Sequence, residues 1–279
     1  MNTILKKETL APRIIRIRIR APRIARKRKA GQFIILRPSE DGERLPLTIC
    51  RGNVREGWIE VVYQVVGAGT LSLSRLGPGD KVPDLVGPLG KPSRIARFGK
   101  CLCVGGGVGA APLLPIIMAL KEAGNLVTSV LGARTAESLI LDEEIRASSD
   151  EHHVVTDDGS LGAKGTASDA AARLLADGKR YDYAMIVGPA AMMKATAELT
   201  VRQGIQTWVS LNPIMIDGTG MCGGCRVQIR GETKFACVDG PEFEASGIDW
   251  DSFLKRLKSY REFERRTKER EKCRLTNRP

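Results

Sequence analysis

The chain has 279 residues, of which 42% are hydrophobic, and this is enough for about two domains that each bury a core. The aromatic content of 5% argues against a nucleic-acid stacking surface. No apolar run approaches the ~20 residues of a membrane span and no apolar signal core opens the chain, so we expect a cytoplasmic protein without a membrane partner. The net charge of +12 is concentrated in residues 13–29 and 255–278.

The N-terminal third predicts short strands that are interrupted by glycine and proline turns. Examples are residues 14–19, 32–38 and 58–66, and their spacing favours a small antiparallel β-barrel over residues 1–95. Isoleucine and arginine alternate from Ile15 to Arg20, so a strand would place isoleucines on one face and arginines on the other. The arginine face is predicted to be a solvated outer surface, or else a basic docking surface for an acidic protein or a nucleic acid.

From Gly99 onwards, predicted strands alternate with predicted helices. Residues 101–124 predict a strand, a glycine turn and a helix, and further strands are expected at 126–133, 152–159, 183–189 and 207–211. Helices are expected at 167–178 and 190–204. Such alternation predicts a doubly wound parallel sheet over residues 96–210, followed by a cysteine-rich segment at 211–245 and a charged helix and tail at 246–279.

The strongest motif is a set of potential metal ligands in the cysteine-rich segment. Plant-type [2Fe-2S] proteins use the spacing C-x4-C-x2-C with a distant fourth cysteine. This chain keeps that spacing with Asp217 in the first position, followed by Cys222, Cys225 and Cys237. Four nearby glycines would let a tight loop surround a cluster. A zinc site with the same ligands and a coincidental group of buried cysteines are the alternatives.

A second motif follows the first strand of the predicted parallel sheet. Gly105, Gly107 and Ala110 fit G-x-G-x-x-G/A, in which glycines allow a diphosphate to approach the N-terminus of a helix. A plain tight turn would give the same pattern. Arg134 stands where an acidic ribose ligand is expected, so either it accommodates a 2′-phosphate or the domain binds its nucleotide differently.

A third motif is found in the predicted barrel. The segment RLPLT (44–48) and the segment VYQVVGAGT (62–70) each combine polar side chains or turn glycines with a strand. They could hold a flavin and its diphosphate, although a strand-end arginine and two turn glycines are often without function.

Taken together in this order, the motifs resemble the ferredoxin–NADP reductase superfamily over about residues 1–265. The resemblance is strongest to its iron–sulfur electron-transfer subunits. These include the electron-transfer subunits of class B dihydroorotate dehydrogenases and the small subunits of NADH-dependent ferredoxin:NADP oxidoreductases, also named sulfide dehydrogenases. It rests on the segments AGQF (30–33), GERLPLT (42–48), VVGAGT (65–70), LVGPLGKPS (85–93), GGGVGAAP (105–112), TDDGSLGAKG (156–165), VGPAAMM (187–193), SLNPIMIDGTGMCGGCRV (210–227) and FACVDGPEF (235–243).

The resemblance implies an oxidoreductase subunit that carries FAD and a [2Fe-2S] cluster and uses NAD(H) or NADP(H). Because the dihydroorotate-linked subunits have four cysteine ligands, Asp217 makes the chain more similar to the ferredoxin:NADP oxidoreductase small subunits. Those work with a larger flavoprotein that carries iron–sulfur clusters, and reach ferredoxin through it. The expected assembly is a heterodimer.

The resemblance also implies the residues of each site. The FAD residues would be Arg44, Pro46, Leu47, Thr48, Val62, Tyr63, Gln64, Gly69 and Thr70. The nucleotide residues would be Gly105, Gly106, Gly107, Gly109, Arg134, Asp157 and Asp158, although Asp157 and Asp158 also suit a simple Asp-Asp-Gly turn. One departure is that Arg44 lies four residues before Thr48 rather than three, with Leu47 at the usual aromatic position.

The remaining residues suggest little acid–base chemistry. His152 and His153 are the only histidines, and we expect them at a strand edge without a catalytic role. Cys50, Cys101 and Cys103 are expected to be buried. The C-terminal helix carries an apolar stripe that would clamp a partner or pack on its own domain. A nucleic-acid-binding protein and a scaffold with degenerate cofactor sites are the two alternatives from other functional classes.

Overall fold

The computed structural model describes residues 2–259, and its N-terminal part is a nearly closed antiparallel barrel of seven strands. The strand order is β6-β1-β2-β5-β4-β3-β7, and two short helices, α1 (Pro22–Lys27) and α2 (Ala68–Arg75), lie between strands. The strands are β1 (Asn2–Ala11), β2 (Ile14–Arg20), β3 (Phe33–Arg37), β4 (Leu45–Asn53), β5 (Trp58–Gln64), β6 (Lys81–Val82) and β7 (Asp84–Leu89).

The alternating strand β2 has one face in the barrel core and one face in an ion-pair network. Ile17 and Ile19 are fully buried in the barrel. On the opposite face, Arg18 lies 3.3 Å from the buried carboxylate of Glu60, and Arg16 lies 2.9 Å from Glu8. The prediction of a solvated arginine face is therefore wrong for these two residues, because acidic side chains of neighbouring elements cover them.

The second sheet is built around parallel strands in the order β11-β10-β9-β8-β12-β13-β16. Helices α5 and α6 cover one face and α3 covers the other, which confirms the doubly wound fold. The elements are β8 (Lys100–Gly106), α3 (Ala110–Glu122), β9 (Leu126–Ala133), α4 (Asp142–Ala147), β10 (Glu151–Thr156), β11 (Ala163–Lys164), α5 (Ala167–Ala176), β12 (Tyr183–Val187), α6 (Ala190–Arg202) and β13 (Gln206–Ser210).

The C-terminal segment returns to this second sheet. After the two-stranded ribbon of β14 (Arg226–Ile229) and β15 (Glu232–Phe235), the strand β16 (Glu242–Glu244) pairs antiparallel with β13. The final helix is α7 (Trp250–Lys258). The domain boundaries near residues 95, 210 and 245 remain predictions. The strand β16 lies within the predicted cysteine-rich segment 211–245 but belongs to the sheet of the nucleotide domain.

Helix α7 packs partly against its own domain. The side chains of Trp250 and Phe253 are buried in the core beneath α5 and α6. Of the other apolar residues in the predicted stripe, Leu254 and Leu257 are half-buried, whereas Tyr260 and Phe263 lie outside the described residues, as does Cys273 of the charged tail. Among residues 2–259, no helix is both long enough and apolar enough to cross a membrane.

Candidate functional site

The glycine-rich loop after β8 lies at the point where the strand order of the parallel sheet changes direction. A Cβ atom on Gly109 would lie 2.5 Å from the carbonyl oxygen of Val187 and 2.9 Å from Cα of Gly188, so only glycine lets the loops after β8 and β12 touch. Gly107 has a φ of 54° and open space beside it. The N-terminus of α3 therefore borders a crevice of the kind that binds nucleotides in such sheets.

The other predicted nucleotide residues lie at the same carboxyl edge of the sheet. Arg134 follows β9, and Asp157 and Asp158 follow β10; all three side chains are exposed. The backbone N–H of Asp158 donates to the carbonyl of Arg134 at 3.3 Å, so the two strand ends are joined. Hydrogen bonds from Ser160 hold the pKa of Asp158 below its usual value, which keeps this carboxylate ionised.

The barrel strand β5 runs beside the turn at 107–109 and so brings the second predicted flavin segment to the glycine loop. Val62 packs with α3 residues, whereas Gln64 is exposed. Tyr63 is 2% exposed, and its hydroxyl has no hydrogen-bond partner within residues 2–259. Burial raises the pKa of Tyr63. The Tyr63 side chain packs in the barrel core, whereas Val62 faces the second domain.

The strand β4 divides the RLPLT residues between two faces. Leu47 packs against the barrel core, whereas Pro46 and Thr48 are half-buried on the opposite face. Arg44 is exposed and directly precedes the strand. It therefore lies at the start of the strand that carries the predicted flavin residues.

The predicted phosphate turn is the first turn of helix α2. The hydroxyl of Thr70 accepts hydrogen bonds from the backbone N–H groups of Val66 and Gly67, both at 3.0 Å. The N–H of Gly69 donates to Oε2 of Glu43 at 3.0 Å, so a carboxylate already lies at this helix N-terminus. The position suits an anion such as a diphosphate. Sequence reasoning missed Glu43, whose only signal was its place within GERLPLT.

The cysteine-rich loop is shaped by a carboxylate and by glycines. Asp217 accepts hydrogen bonds from the backbone N–H groups of Thr219 at 2.9 Å and Cys222 at 2.8 Å, and these bonds lower its pKa. Gly218, Gly220 and Gly223 all have positive φ angles, which lets the loop turn tightly. The four predicted ligands thus lie on one compact segment.

The sulfur atoms of this loop receive amide hydrogen bonds. Cys222 is exposed and its Sγ accepts from Gly224 N at 3.4 Å, whereas the buried Cys225 accepts from Cys237 N at the same distance. Burial and the Cys225 thiol raise the pKa of Cys237 to about 12. Within the described chain, no three metal-binding side chains converge as one ion requires. Soft sulfur donors with amide support fit a two-iron cluster, whose ligands are shared between two metals.

The cysteine-rich loop packs directly on the barrel. A Cβ atom on Gly218 would lie 2.8 Å from Cγ1 of Ile35 and 2.9 Å from Cδ1 of Leu89. The strands β3 and β7 therefore carry this loop, while β5 of the same barrel contacts the glycine loop of the second domain. The structure brings all three predicted sites to the barrel.

The histidines and the other cysteines lie away from these sites. His152 and His153 lie on the part of β10 that pairs only with β9, at an edge of the sheet as expected, and His152 has Nδ1 2.6 Å from Ser129 Oγ and Nε2 2.7 Å from Asp142 Oδ1. Burial lowers the pKa of His152. His153 bonds to Glu151. The prediction that the remaining described cysteines are buried is confirmed for Cys50, Cys101 and Cys103.

Two family models match this chain. Residues 212–249 match the model described as the iron-sulfur cluster binding domain of dihydroorotate dehydrogenase B, which supports iron–sulfur over the zinc alternative. Residues 103–198 match the model described as an oxidoreductase NAD-binding domain. The two matches cover the predicted metal ligands and the glycine loop, respectively.

Whole-chain comparisons give consistent results. A dihydroorotate dehydrogenase B (NAD(+)) electron transfer subunit homolog from Thermotoga maritima is 48% identical over 97% of this chain and 95% of its own length. The electron transfer subunit of dihydroorotate dehydrogenase B from Desulforamulus reducens is 34% identical over 87% of this chain and 95% of its own length. A solved structure of an NADH-dependent reduced ferredoxin-NADP oxidoreductase aligns with a TM-score of 0.91 and 48% identity, covering 97% of both chains.

Proposed function

The chain belongs to the family of dihydroorotate dehydrogenase B electron transfer subunits and their homologues, and on that premise we propose that it is the small subunit of an NADH-dependent ferredoxin:NADP oxidoreductase. It is an oxidoreductase subunit that passes electrons between NAD(P)(H), FAD and a [2Fe-2S] cluster. The larger partner subunit is a flavoprotein with further iron–sulfur centres.

The observation that carries this choice is the ligand loop with Asp217 in the first position. The loop lies in a chain that matches an NADH-dependent ferredoxin-NADP oxidoreductase over almost its whole length. The second candidate is the electron-transfer subunit of a dihydroorotate dehydrogenase, which the names of several relatives and of the C-terminal family model favour. The two candidates share the cofactors and differ in the partner.

The residues of this chain would hold the cofactors at three places on the barrel. Arg44, the face of β4 with Pro46 and Thr48, the β5 residues and the N-terminus of α2 would bind FAD, with Glu43 displaced by the diphosphate. Bound FAD supplies the conversion between two-electron and one-electron transfer. Because β5 runs beside the glycine loop, a nucleotide on residues 105–109 would be oriented towards the flavin.

The ligand loop, which packs on β3 and β7 next to the proposed flavin strand β4, would receive electrons from the flavin. Asp217, Cys222, Cys225 and Cys237 would supply one carboxylate and three thiolates, and the amides of Gly224 and Cys237 stabilise negative charge on sulfur. The raised pKa of Cys237 means that this thiol must release its proton when the metal binds. The protein groups position the cofactors and adjust their potentials, so no general acid or base is required.

The proposed function is tested on the chain purified alone under anaerobic conditions. We expect one FAD, two irons and two sulfides per chain, and NAD(P)H oxidation with artificial dyes. Transfer to ferredoxin should require the larger flavoprotein subunit. Zinc without sulfide would refute the cluster assignment, and efficient ferredoxin reduction by the isolated chain would refute the need for a partner. Stimulation by a dihydroorotate dehydrogenase catalytic subunit instead would favour the second candidate.

We also propose a cytoplasmic location. The six cysteines that the structure describes are unpaired thiols, as expected in a reducing compartment. No nucleic-acid partner is proposed, since the arginines of β2 that suggested one bind acidic side chains instead.

The role of Asp217 can be tested by the variant Asp217→Cys. We expect it to retain a [2Fe-2S] cluster but to change its EPR spectrum and lower its potential, because a thiolate donates more electron density than a carboxylate. Redox titration followed by EPR measures both quantities. Asp251→Cys is a control that adds a cysteine at an exposed position of α7, outside the proposed ligand set. An unchanged spectrum in Asp217→Cys would show that the carboxylate does not bind iron.

A further inference from the structure

The first residue of β16, Glu242, is a buried carboxyl without a counter-charge. Its side chain is 7% exposed, and the hydroxyl of Ser93 donates to Oε1 at 2.5 Å. The second oxygen, Oε2, has no hydrogen-bond partner in the part of the chain that the structure describes. A buried carboxylate with one unpaired oxygen is costly, so this position favours the protonated acid.

Glu242 lies where three parts of the fold meet. A Cβ atom on Gly31 would lie 2.5 Å from its Oε1 and 2.2 Å from Ser93 Oγ, so the barrel closes over the carboxyl only because residue 31 is glycine. The backbone is fixed on both sides: Lys91 N donates to Gly240 O at 2.6 Å, and Leu211 N donates to Pro241 O at 3.0 Å. The carboxyl therefore cannot move easily into solvent when it ionises.

The same barrel wall carries the ligand loop. A Cβ atom on Gly90 would contact Pro241 at 3.1 Å and the Phe33 ring at 2.8 Å, whereas Gly218 of the ligand loop packs against Ile35. Phe33 and Ile35 are two residues apart on β3, a distance of about 7 Å along a strand. Glu242 and the ligand loop therefore lie against the same strand, β3, which allows an electrostatic interaction between them in the protein interior.

The charged groups around Glu242 do not neutralise it. Tyr183 on β12 is a neutral phenol, whose pKa is raised mainly by burial and further by Glu242. Arg94, next to Ser93, is exposed to solvent. The remaining charged groups form two ion pairs at the surface, Lys91–Asp239 and Glu244–Arg230. Burial raises the pKa of Glu242 to about 7, against the opposing effect of the Ser93 hydrogen bond.

We propose that Glu242 is a redox-linked proton acceptor, which takes up one proton from solvent when one electron enters the adjacent iron–sulfur site. The proposal rests on the proposed function. The electron comes from the reduced nicotinamide nucleotide through the flavin. The proton converts the carboxylate of Glu242 into a carboxylic acid, so the positive charge of the proton balances the negative charge of the electron. The cause is electrostatic, because a reduced cluster repels an ionised carboxylate on the same barrel wall and favours its protonated form.

The test is a redox titration of the full chain with its cofactors, followed by EPR at several pH values. Below pH ~7, Glu242 is already protonated and the cluster potential should be independent of pH. Between that value and the higher pKa that Glu242 has in the reduced protein, the potential should fall as pH rises, by up to about 59 mV per tenfold fall in proton concentration. In Glu242→Gln, which is neutral at every pH, this fall should be absent and the potential at alkaline pH should be higher.

A second variant and a second readout keep the test decisive. Ser93→Ala removes the hydrogen bond that favours the ionised form, so the fall should begin at a higher pH. Infrared difference spectra of the reduced minus the oxidised protein should show a protonated-carboxyl band that Glu242→Gln lacks. If the cluster signal is present and the cluster potential depends on pH in the same way in wild type and Glu242→Gln, the proposal is wrong. A missing cluster signal would instead overturn the proposed function on which it rests.

Discussion

Replacing Cys237 by serine is expected to abolish electron transfer to the partner flavoprotein while leaving dye reduction within about twofold of wild type. Cys237 is 1% exposed and bonds through its backbone N–H to Cys225 Sγ, so it forms the buried side of the proposed ligand set. Loss of a supporting contact already lowers metal affinity about 10- to 100-fold, and loss of a ligand should cost more.

The flavin should survive this substitution because its proposed residues lie on other elements. Arg44 to Thr48 on β4 and the N-terminus of α2 have no part in the ligand loop. Iron and sulfide content, the visible spectrum and the rate of dye reduction with NADH separate the two cofactors. We expect metal content near zero together with a full complement of FAD.

The matched control for this experiment is Cys103→Ser. Cys103 is also a fully buried thiol, on β8, so both variants place a hydroxyl in an apolar environment and share that cost to stability. Only Cys237→Ser should lose the cluster. Because a serine oxygen can itself bind iron, Cys237→Ala is the deciding variant: if it keeps two irons and two sulfides per chain, Cys237 is not a ligand.

The doubly wound sheet could be predicted because its signals are local. The strand at 126–133 begins and ends where the alternation of apolar runs and glycine turns placed it. The helices at 167–178 and 190–204 were also expected, with ends that differ by about two residues. The apolar residues within each of these strands and helices indicate which face is buried, so the prediction did not require knowledge of tertiary contacts.

The interpretation of the arginine strand failed because its partners are distant in sequence. Arg16 binds Glu144 on α4, 128 residues away, and both Arg16 and Arg18 approach the buried Glu60. A period of two identifies the face of a strand but not what covers that face. The short helices α1 and α4 were missed for a related reason, since six residues are too few to show a helical period.

The features of the candidate site could also be predicted only where they lie on one short segment of the chain. The ligand spacing from Asp217 to Cys237 and the glycine loop were visible because each lies on one short segment. The Ser93–Glu242 pair joins residues 149 positions apart, and neither the GKPS nor the DGPEF motif indicates that the two side chains meet. Tertiary packing alone reveals that this carboxyl is buried.

Replacing Gly109 by alanine is expected to destabilise the nucleotide-binding domain by about 1–3 kcal/mol and to weaken nucleotide binding by about tenfold or more. The local backbone would tolerate alanine, because Gly109 has a helical φ of −62° at the N-cap of α3. The cost comes from tertiary packing. The new Cβ would lie 2.5 Å from the carbonyl oxygen of Val187.

The obstructing atoms cannot move aside cheaply. They belong to the backbone at the end of β12, which is paired in register with β8 from Tyr183–Cys101 to Val187–Gly105. Relief must therefore separate the two loops that border the crevice, and this displaces the N-terminus of α3 from its place beside β5. The 2.5 Å contact with backbone atoms therefore decides the sign of the stability change.

Urea denaturation and the KM for NADH in dye reduction measure the two effects of Gly109→Ala. Gly77→Ala is the matched control: its Cβ would meet only Asp80 Oδ2, at 3.9 Å, so stability should change by no more than about 0.5 kcal/mol. A rise in KM without a fall in kcat would mean that the loop binds the nucleotide without taking part in hydride transfer. If Gly109→Ala instead leaves both stability and KM unchanged, the loops after β8 and β12 are free to separate and the contact carries no cost.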